Sequence, residues 1–284
     1  MDPDASSSVK RNRSVQRTAK LLKALGVAQR GLTLAELSRT AELSESTVYR
    51  LLATLQEEGL VERAVAGNGR YRLGLEVFRL GNAALNGRGL GREIMPYVEA
   101  LADESGETVN VGVLHGFNVL YVQKIESQQP LRASLTVGSA IVPAHCSANG
   151  KVLLAHLGAD RLERLLDAFP LTRRGLHAIT DREALQRELA RTREQGYAVD
   201  DREFADDIRA VAAPICDHQA AVSAAIAVAG PATRLSLERL HQLAPRVVWT
   251  AGRISAQLGY QGTDVSTEYE AGGLPLRETK GVSA

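Results

Sequence analysis

The sequence predicts an α+β chain in two parts: an N-terminal winged helix-turn-helix, then a larger domain with a mixed, largely antiparallel sheet and helices. Three observations carry this. Two short helix signals with favourable caps stand a few residues apart within 33–59. An extended stretch at 60–64, the turn Gly67-Asn68-Gly69 and a second stretch at 70–73 follow, which is the pattern of a hairpin wing. Beyond residue 91, alternating apolar stretches gather at the beginning and end of a helix-rich middle, the arrangement of an α+β domain.

The elements follow in chain order. Residues 1–8 are acidic and serine-rich without periodicity, so 1–12 are expected to be a disordered arm whose Lys10 and Arg11, with Arg13, could lie along a nucleic-acid backbone. Residues 15–28 carry Ala19, Leu22 and Leu25 on one face and read as the first core helix. Thr33 caps 34–39, with Glu36 three residues on as the reciprocal partner of a capping box. Glu42 occupies the turn, where backbone tending to positive φ usually selects glycine, at a cost of about 1 kcal/mol. Ser44 caps the next helix, Val48, Leu51, Leu52 and Leu55 form its apolar stripe, and Gly59 stops it.

The polar face of that helix opens with Ser46, Thr47, Tyr49 and Arg50 in its first two turns, the part that enters a major groove in helix-turn-helix proteins. Hydroxyls and a guanidinium suit base edges and phosphates. The expected DNA contacts are Ser44, Ser46, Thr47, Tyr49 and Arg50, with Arg70 of the wing and Arg17 of the first helix. Residues 13–74 form this domain. Leu75–Asn86, with Val77, Leu80 and Ala84 along one side, reads as a linker helix whose apolar side packs on a second copy, and three glycines within 87–91 read as a hinge. The linker and hinge span 75–90.

The larger domain, 91–262, is expected to run as a helix at 92–104, strands at 107–115, 119–126 and 131–137, and helices at 147–157, 159–169 and 181–195. Strands at 197–202, 210–216 and 222–229 and a long helix at 236–258 complete it, leaving 263–284 as a flexible tail.

At 284 residues, 44% hydrophobic and 24% charged, the chain is ordinary soluble protein in composition. No stretch has the length of a membrane span or the apolar core of a signal peptide, so a cytoplasmic protein without membrane partners is expected. Two cysteines, Cys146 and Cys216, make no disulfide framework. The net charge of +1 is unevenly spread: residues 1–80 hold 13 Lys and Arg against 9 Asp and Glu, the remainder 21 against 24. Positive potential therefore gathers on the helix-turn-helix end, where phosphates would be met.

The segments SVQRTAKLLKAL, STVYRLLATLQEEGLVER, GRYRLG, PAHCSANGKVLLAHL, REQGYAVDDREF, AVAAPICD and AAIAVAGPATRLS, in this order and spacing, resemble the IclR family of bacterial transcription regulators from Val15 to about Gly259. The resemblance implies a winged helix, a dimerising linker helix, a GAF-like effector-binding domain, and dimers that pair into tetramers on double-stranded operator DNA. It implies no catalysis, cofactor or metal. Carried over motif by motif, the effector contacts are Leu131, Ser134, Ala148, Asn149, Asp200, Ile208, Ala210, Ala227 and Ala229. Alanine stands at 210, 227 and 229, where family members that bind small acids have a cysteine and two serines, so a larger, more apolar or aromatic carboxylate is expected. Its carboxyl end would meet the amides of 148–150 at a helix N-terminus. Asp206-Asp207 also departs from the family pattern, which has glycine near the second position.

Two other readings have candidate residues. A cysteine hydrolase would use Cys146 with His145 or His156 as base, although no nucleophile motif surrounds it. A metal-binding sensor domain would use His145, Cys146, Cys216 and His218, although no Cys-x-x-Cys pair supports it.

Overall fold

The computed structural model describes residues 12–28, 30–63, 69–133 and 142–262. They fall into two compact units that divide between Gly87 and Arg88.

The first unit comprises α1 (Arg13–Val27), α2 (Leu34–Ala41), α3 (Glu45–Glu57), the hairpin β1 (Val61–Arg63) and β2 (Tyr71–Leu73), and α4 (Leu75–Asn86). Leu21, Leu25, Leu37, Val48, Leu52, Leu55, Val61 and Tyr71 form its core. In α1 the inward stripe is Leu21 and Leu25, with Leu22 only partly buried at its edge, so the helix is turned from the expected Ala19–Leu22 face. The Thr33–Glu36 capping box is present in full. Glu42 adopts φ 57° and ψ 45°, the left-handed turn expected of its position. After α3, Gly59 at φ +68° lets its own N–H reach Gln56 O while Leu60 N–H reaches Leu55 O, which closes the helix and aims the chain into β1. The Gly67-Asn68 part of the expected wing turn lies outside the described residues. Helix α4 buries none of its residues within this unit, and Leu75 and Phe78 are 82% and 68% exposed.

The second unit begins with a 3-10 turn at Arg92–Ile94 and α5 (Met95–Ser105). Strands β3 (Thr108–His115), β4 (Asn118–Ile125) and β5 (Val142–Pro143) follow, then α6 (Ala148–Ala155), α7 (Ala159–Ala168) and α8 (Arg182–Gln195). Strands β6 (Ala198–Asp201), β7 (Ile208–Cys216) and β8 (Val222–Pro231) and helix α9 (Leu237–Gln257) complete it. The sheet order is β5-β4-β3-β8-β7-β6, and each of these pairings is antiparallel, in keeping with the largely antiparallel sheet expected. The strand expected at 131–137 is not found over 131–133, and 134–137 lie outside the described residues; the edge beside β4 is taken by β5 instead.

Helices α5 and α9 pack on one face of the sheet and α6 on the other, backed by α8. Strand alternation sorts the side chains accordingly. Ala210, Ala212, Ala225, Ala227 and Ala229 share a core with Ala148 and Val152 of α6. Their small side chains let a helix buried along its whole length settle close to the strands. Gly150 is required by the same closeness, since a Cβ there would stand 2.2 Å from the Ala144 carbonyl oxygen.

A buried charge cluster joins α6 to its surroundings. Lys151, 1% exposed, donates from Nζ to Glu188 Oε1 at 2.9 Å, Glu203 Oε1 at 2.5 Å and the Val199 carbonyl oxygen. Burial alone would pull the ammonium's pKa down, but Glu203 and Glu188 reverse this and hold it raised.

Candidate nucleic-acid interface and ligand cavity

At the start of α3, Ser44 Oγ accepts from Thr47 N and lies 2.8 Å from Thr47 Oγ1 and 3.2 Å from Ser46 Oγ. Three hydroxyls thus form one cluster beside the helix N-terminus. Tyr49 is 58% exposed, and Arg50 is exposed with no acidic partner among the described residues. Arg17 is likewise exposed on α1.

Arg70 also has contacts within the fold. Its Nη1 donates to Gly31 O at 2.9 Å and to Glu36 at 3.1 Å, tying the hairpin to the capping box of α2. The Thr33 amide and hydroxyl, followed by Arg70, hold the Glu36 carboxyl below its usual range. One nitrogen of the guanidinium is thus engaged within the fold, while the side chain remains 36% exposed. Arg72 is paired with Glu62, whereas Arg63, over the Tyr71 ring at 5.9 Å, has no acidic partner among the described residues. Position alone did not separate these arginines, because their partners are distant in sequence.

In the second unit, a cavity of about 20 Å³ is lined by Asn110, Tyr121, Val142, Ser147, Ala148, Asn149, Asp200, Phe204, Ile208, Ala210 and Ala229. Six of the nine expected effector contacts, Ala148, Asn149, Asp200, Ile208, Ala210 and Ala229, thus meet on one wall system. Ala227 does not join them: it is wholly buried beside Ala212 and Asn110 in the packed sheet, where its small size serves packing. Leu131 is exposed and lines an open groove of about 370 Å³ with Arg132, Asp206 and Asp207. Ser134 lies outside the described residues. Asn110, Tyr121, Val142, Ser147 and Phe204 complete the lining and were not among the expected contacts.

The first turn of α6 also differs from expectation. Ser147 Oγ caps Gly150 N at 3.3 Å, so only the amides of Ala148 and Asn149 remain to meet a carboxylate. Asn149 Nδ2 donates to Ala225 O at 2.9 Å and pins α6 to β8. Asp200 Oδ1 accepts from Glu203 N at 2.7 Å and Phe204 N at 3.4 Å. Burial, and next the charge of Glu203, push the Asp200 carboxyl up to about 7.

Residues 14–64 match the family described as IclR helix-turn-helix domain, and residues 82–256 match Bacterial transcriptional regulator IclR C-terminal. The chain belongs to the IclR family. This regulator is 36% identical over 234 residues to the Probable transcriptional regulator SauR of Cupriavidus necator, covering 82% of this chain and 92% of that one. It is 33% identical over 253 residues to the Transcriptional repressor IclR of Escherichia coli, covering 87% and 90%. Among solved structures, an IclR homolog from Microbacterium hydrocarbonoxydans complexed with 4-hydroxybenzoate matches with a TM-score of 0.74 at 27% identity, covering 86% of this chain and 98% of that one.

As an IclR-type protein it is a transcriptional regulator with an effector-binding C-terminal domain, not an enzyme. The thiol chemistry agrees. Burial first, then the charges of Asp200 and Glu203, push the Cys146 thiol up to about 12, which leaves almost no thiolate at neutral pH. His145 Nε2 faces Thr172 O at 3.0 Å and the ring stacks on Phe117, while His156 Nδ1 faces Val152 O, so both are engaged in the fold. Among the described residues no three His, Cys, Asp or Glu side chains converge as a metal site, and no helix is long and apolar enough to cross a membrane.

Proposed function

We propose that this regulator works as a homo-oligomer, a dimer of dimers, that reads double-stranded operator DNA through Ser44, Ser46, Thr47, Tyr49 and Arg50. An apolar or aromatic acid in the second unit sets its occupancy of that DNA. Arg17 and Arg63 are the flanking phosphate contacts. The exposed apolar side of α4, with Leu75 and Phe78, is the surface offered to a second copy.

The observation that carries the effector reading is convergence: residues from α6, β6, β7 and β8 meet around one buried cavity with apolar walls and a few polar groups. The aromatic class is extended from the homolog complexed with 4-hydroxybenzoate. A volume of about 20 Å³ holds roughly one water-sized group. A ring therefore enters only if the wall moves, and Phe204 and Ile208, which are only partly buried, are the side chains that yield. Ligand then favours an opened state of this unit. That difference in affinity between two states is what DNA binding can sense.

A thermal-shift series with benzoate, phenylacetate and their 4-hydroxy derivatives tests this. At least one acid is expected to raise the melting temperature in a concentration-dependent way. Ala229→Val, which narrows the cavity, should abolish that rise while operator affinity stays at the wild-type value. An undiminished shift in the variant would move the ligand elsewhere.

A further inference from the structure

We propose that the cavity receives the buried end of its ligand as an uncharged hydroxyl group, and that Asn110 is the residue that selects it. The inference rests on the cavity being the effector site.

Asn110 lies on β3 between Ala227 of β8 and Lys124 of β4, is 3% exposed, and lines the cavity. Its Oδ1 is fully buried with no hydrogen-bond partner, and its amide group makes no side-chain hydrogen bond with the described residues. Asp200, 2% exposed on the same cavity, satisfies Oδ1 with two backbone amides, while Oδ2 accepts from none of the described residues. A buried amide and a half-satisfied carboxyl facing one space define what must fill it, because unpaired polar groups away from water are costly.

The chemistry of the donors and acceptors then decides the ligand. A hydroxyl donates its one proton to Asn110 Oδ1, the buried acceptor that has no partner, and its own oxygen can accept in turn. A carboxylate only accepts. It would leave Asn110 Oδ1 unpaired and bring negative charge towards Asp200, a carboxyl that burial and the charge of Glu203 already hold against ionising. A bare apolar end would leave both side chains unpaired. The other polar side chains of the lining are Tyr121, Ser147 and Asn149; Ser147 Oγ is engaged with Pro143 O and Gly150 N and Asn149 Nδ2 with Ala225 O, and the volume suits a group of one heavy atom. The acid end of the ligand therefore points away from Asp200.

The test measures dissociation constants by calorimetry for two matched pairs, benzoate with 4-hydroxybenzoate and phenylacetate with 4-hydroxyphenylacetate. The full-length protein and Asn110→Leu are compared. In the wild type the hydroxylated member of at least one pair is expected to bind about tenfold tighter or better, as sites built for a hydroxyl reject analogues without it. Asn110→Leu should erase that preference and leave the parent acid within about threefold of its wild-type affinity. The unliganded variant should melt no lower than wild type, because the change removes an unpaired buried amide. Equal binding of both members, or a preference that survives Asn110→Leu, overturns the assignment of Asn110 while the aromatic-acid reading stands. A melting temperature several degrees lower would make Asn110 a structural residue and overturn it too. Binding of neither member of either pair overturns the aromatic-acid reading itself, and this inference falls with it.

Discussion

Replacing Lys151 with methionine is expected to cost on the order of 3–5 kcal/mol, because it leaves buried carboxylates without their cation. Nζ of Lys151 touches Glu188, Glu203 and the Val199 carbonyl at once, and the side chain is 1% exposed. Methionine fills the stem's volume, so packing changes little and the loss is electrostatic. Glu203 sits beside Asp200 on the cavity side, so the uncompensated charge falls on the part of the fold that shapes the cavity. For a chain of this size the loss corresponds to roughly 6–20 °C in melting temperature. Thermal unfolding followed by circular dichroism measures it; a shift within about 2 °C would mean the cluster is not the anchor described.

The same cluster sets a pH dependence. The folded-state pKa of Asp200 is raised from 3.8 to about 7, so between these values the native chain holds a proton that the unfolded chain has lost. Stability from this group therefore falls as pH rises through that window. Between pH 5 and 7 wild type should lose stability relative to Asp200→Asn, by about 1 kcal/mol per pH unit, and the loss should level off above pH 7. Urea unfolding of both proteins at matched pH measures the difference, and parallel curves would contradict it.

Arg50→Ala is expected to weaken operator binding about ten- to a hundredfold, the usual cost of about 1–3 kcal/mol for a base contact. The side chain is exposed, and no acid among the described residues depends on it, so the melting temperature should stay unchanged. Loss of sequence preference would mark a base contact, and a uniform loss with a shallower salt slope would mark a phosphate contact. Affinity within twofold of wild type would remove α3 from the interface.

Much of the first unit was legible because its determinants are local. Thr33 and Glu36 are three residues apart, and Gly59 ends its helix through bonds to the preceding turn. Arg70 was not legible as a structural residue, since its partner Glu36 lies 34 positions away. Asn110 was hidden by alternation. With Val109 and Val111 on one face, the other face reads as solvent, yet here it meets a cavity beneath α6. Strand β5, two residues long, has no period to detect, and Phe204 reaches the cavity from a connection that no pattern marks. The alanine face was visible in the sequence, but only tertiary packing separates Ala210 and Ala229 on the cavity from Ala227 beneath the helix.

The central claim is that one chain couples DNA read by α3 to an acid held beside α6. Fluorescence anisotropy on a duplex from the regulator's own promoter, with and without the acid giving the largest thermal shift, tests it most directly. The account predicts preference over a scrambled duplex at 150 mM salt, a ligand-induced change in affinity of about fivefold or more, and the same factor when operator is added to a ligand titration. Equal affinity for both duplexes, or a ligand that binds and leaves operator affinity untouched, would contradict it.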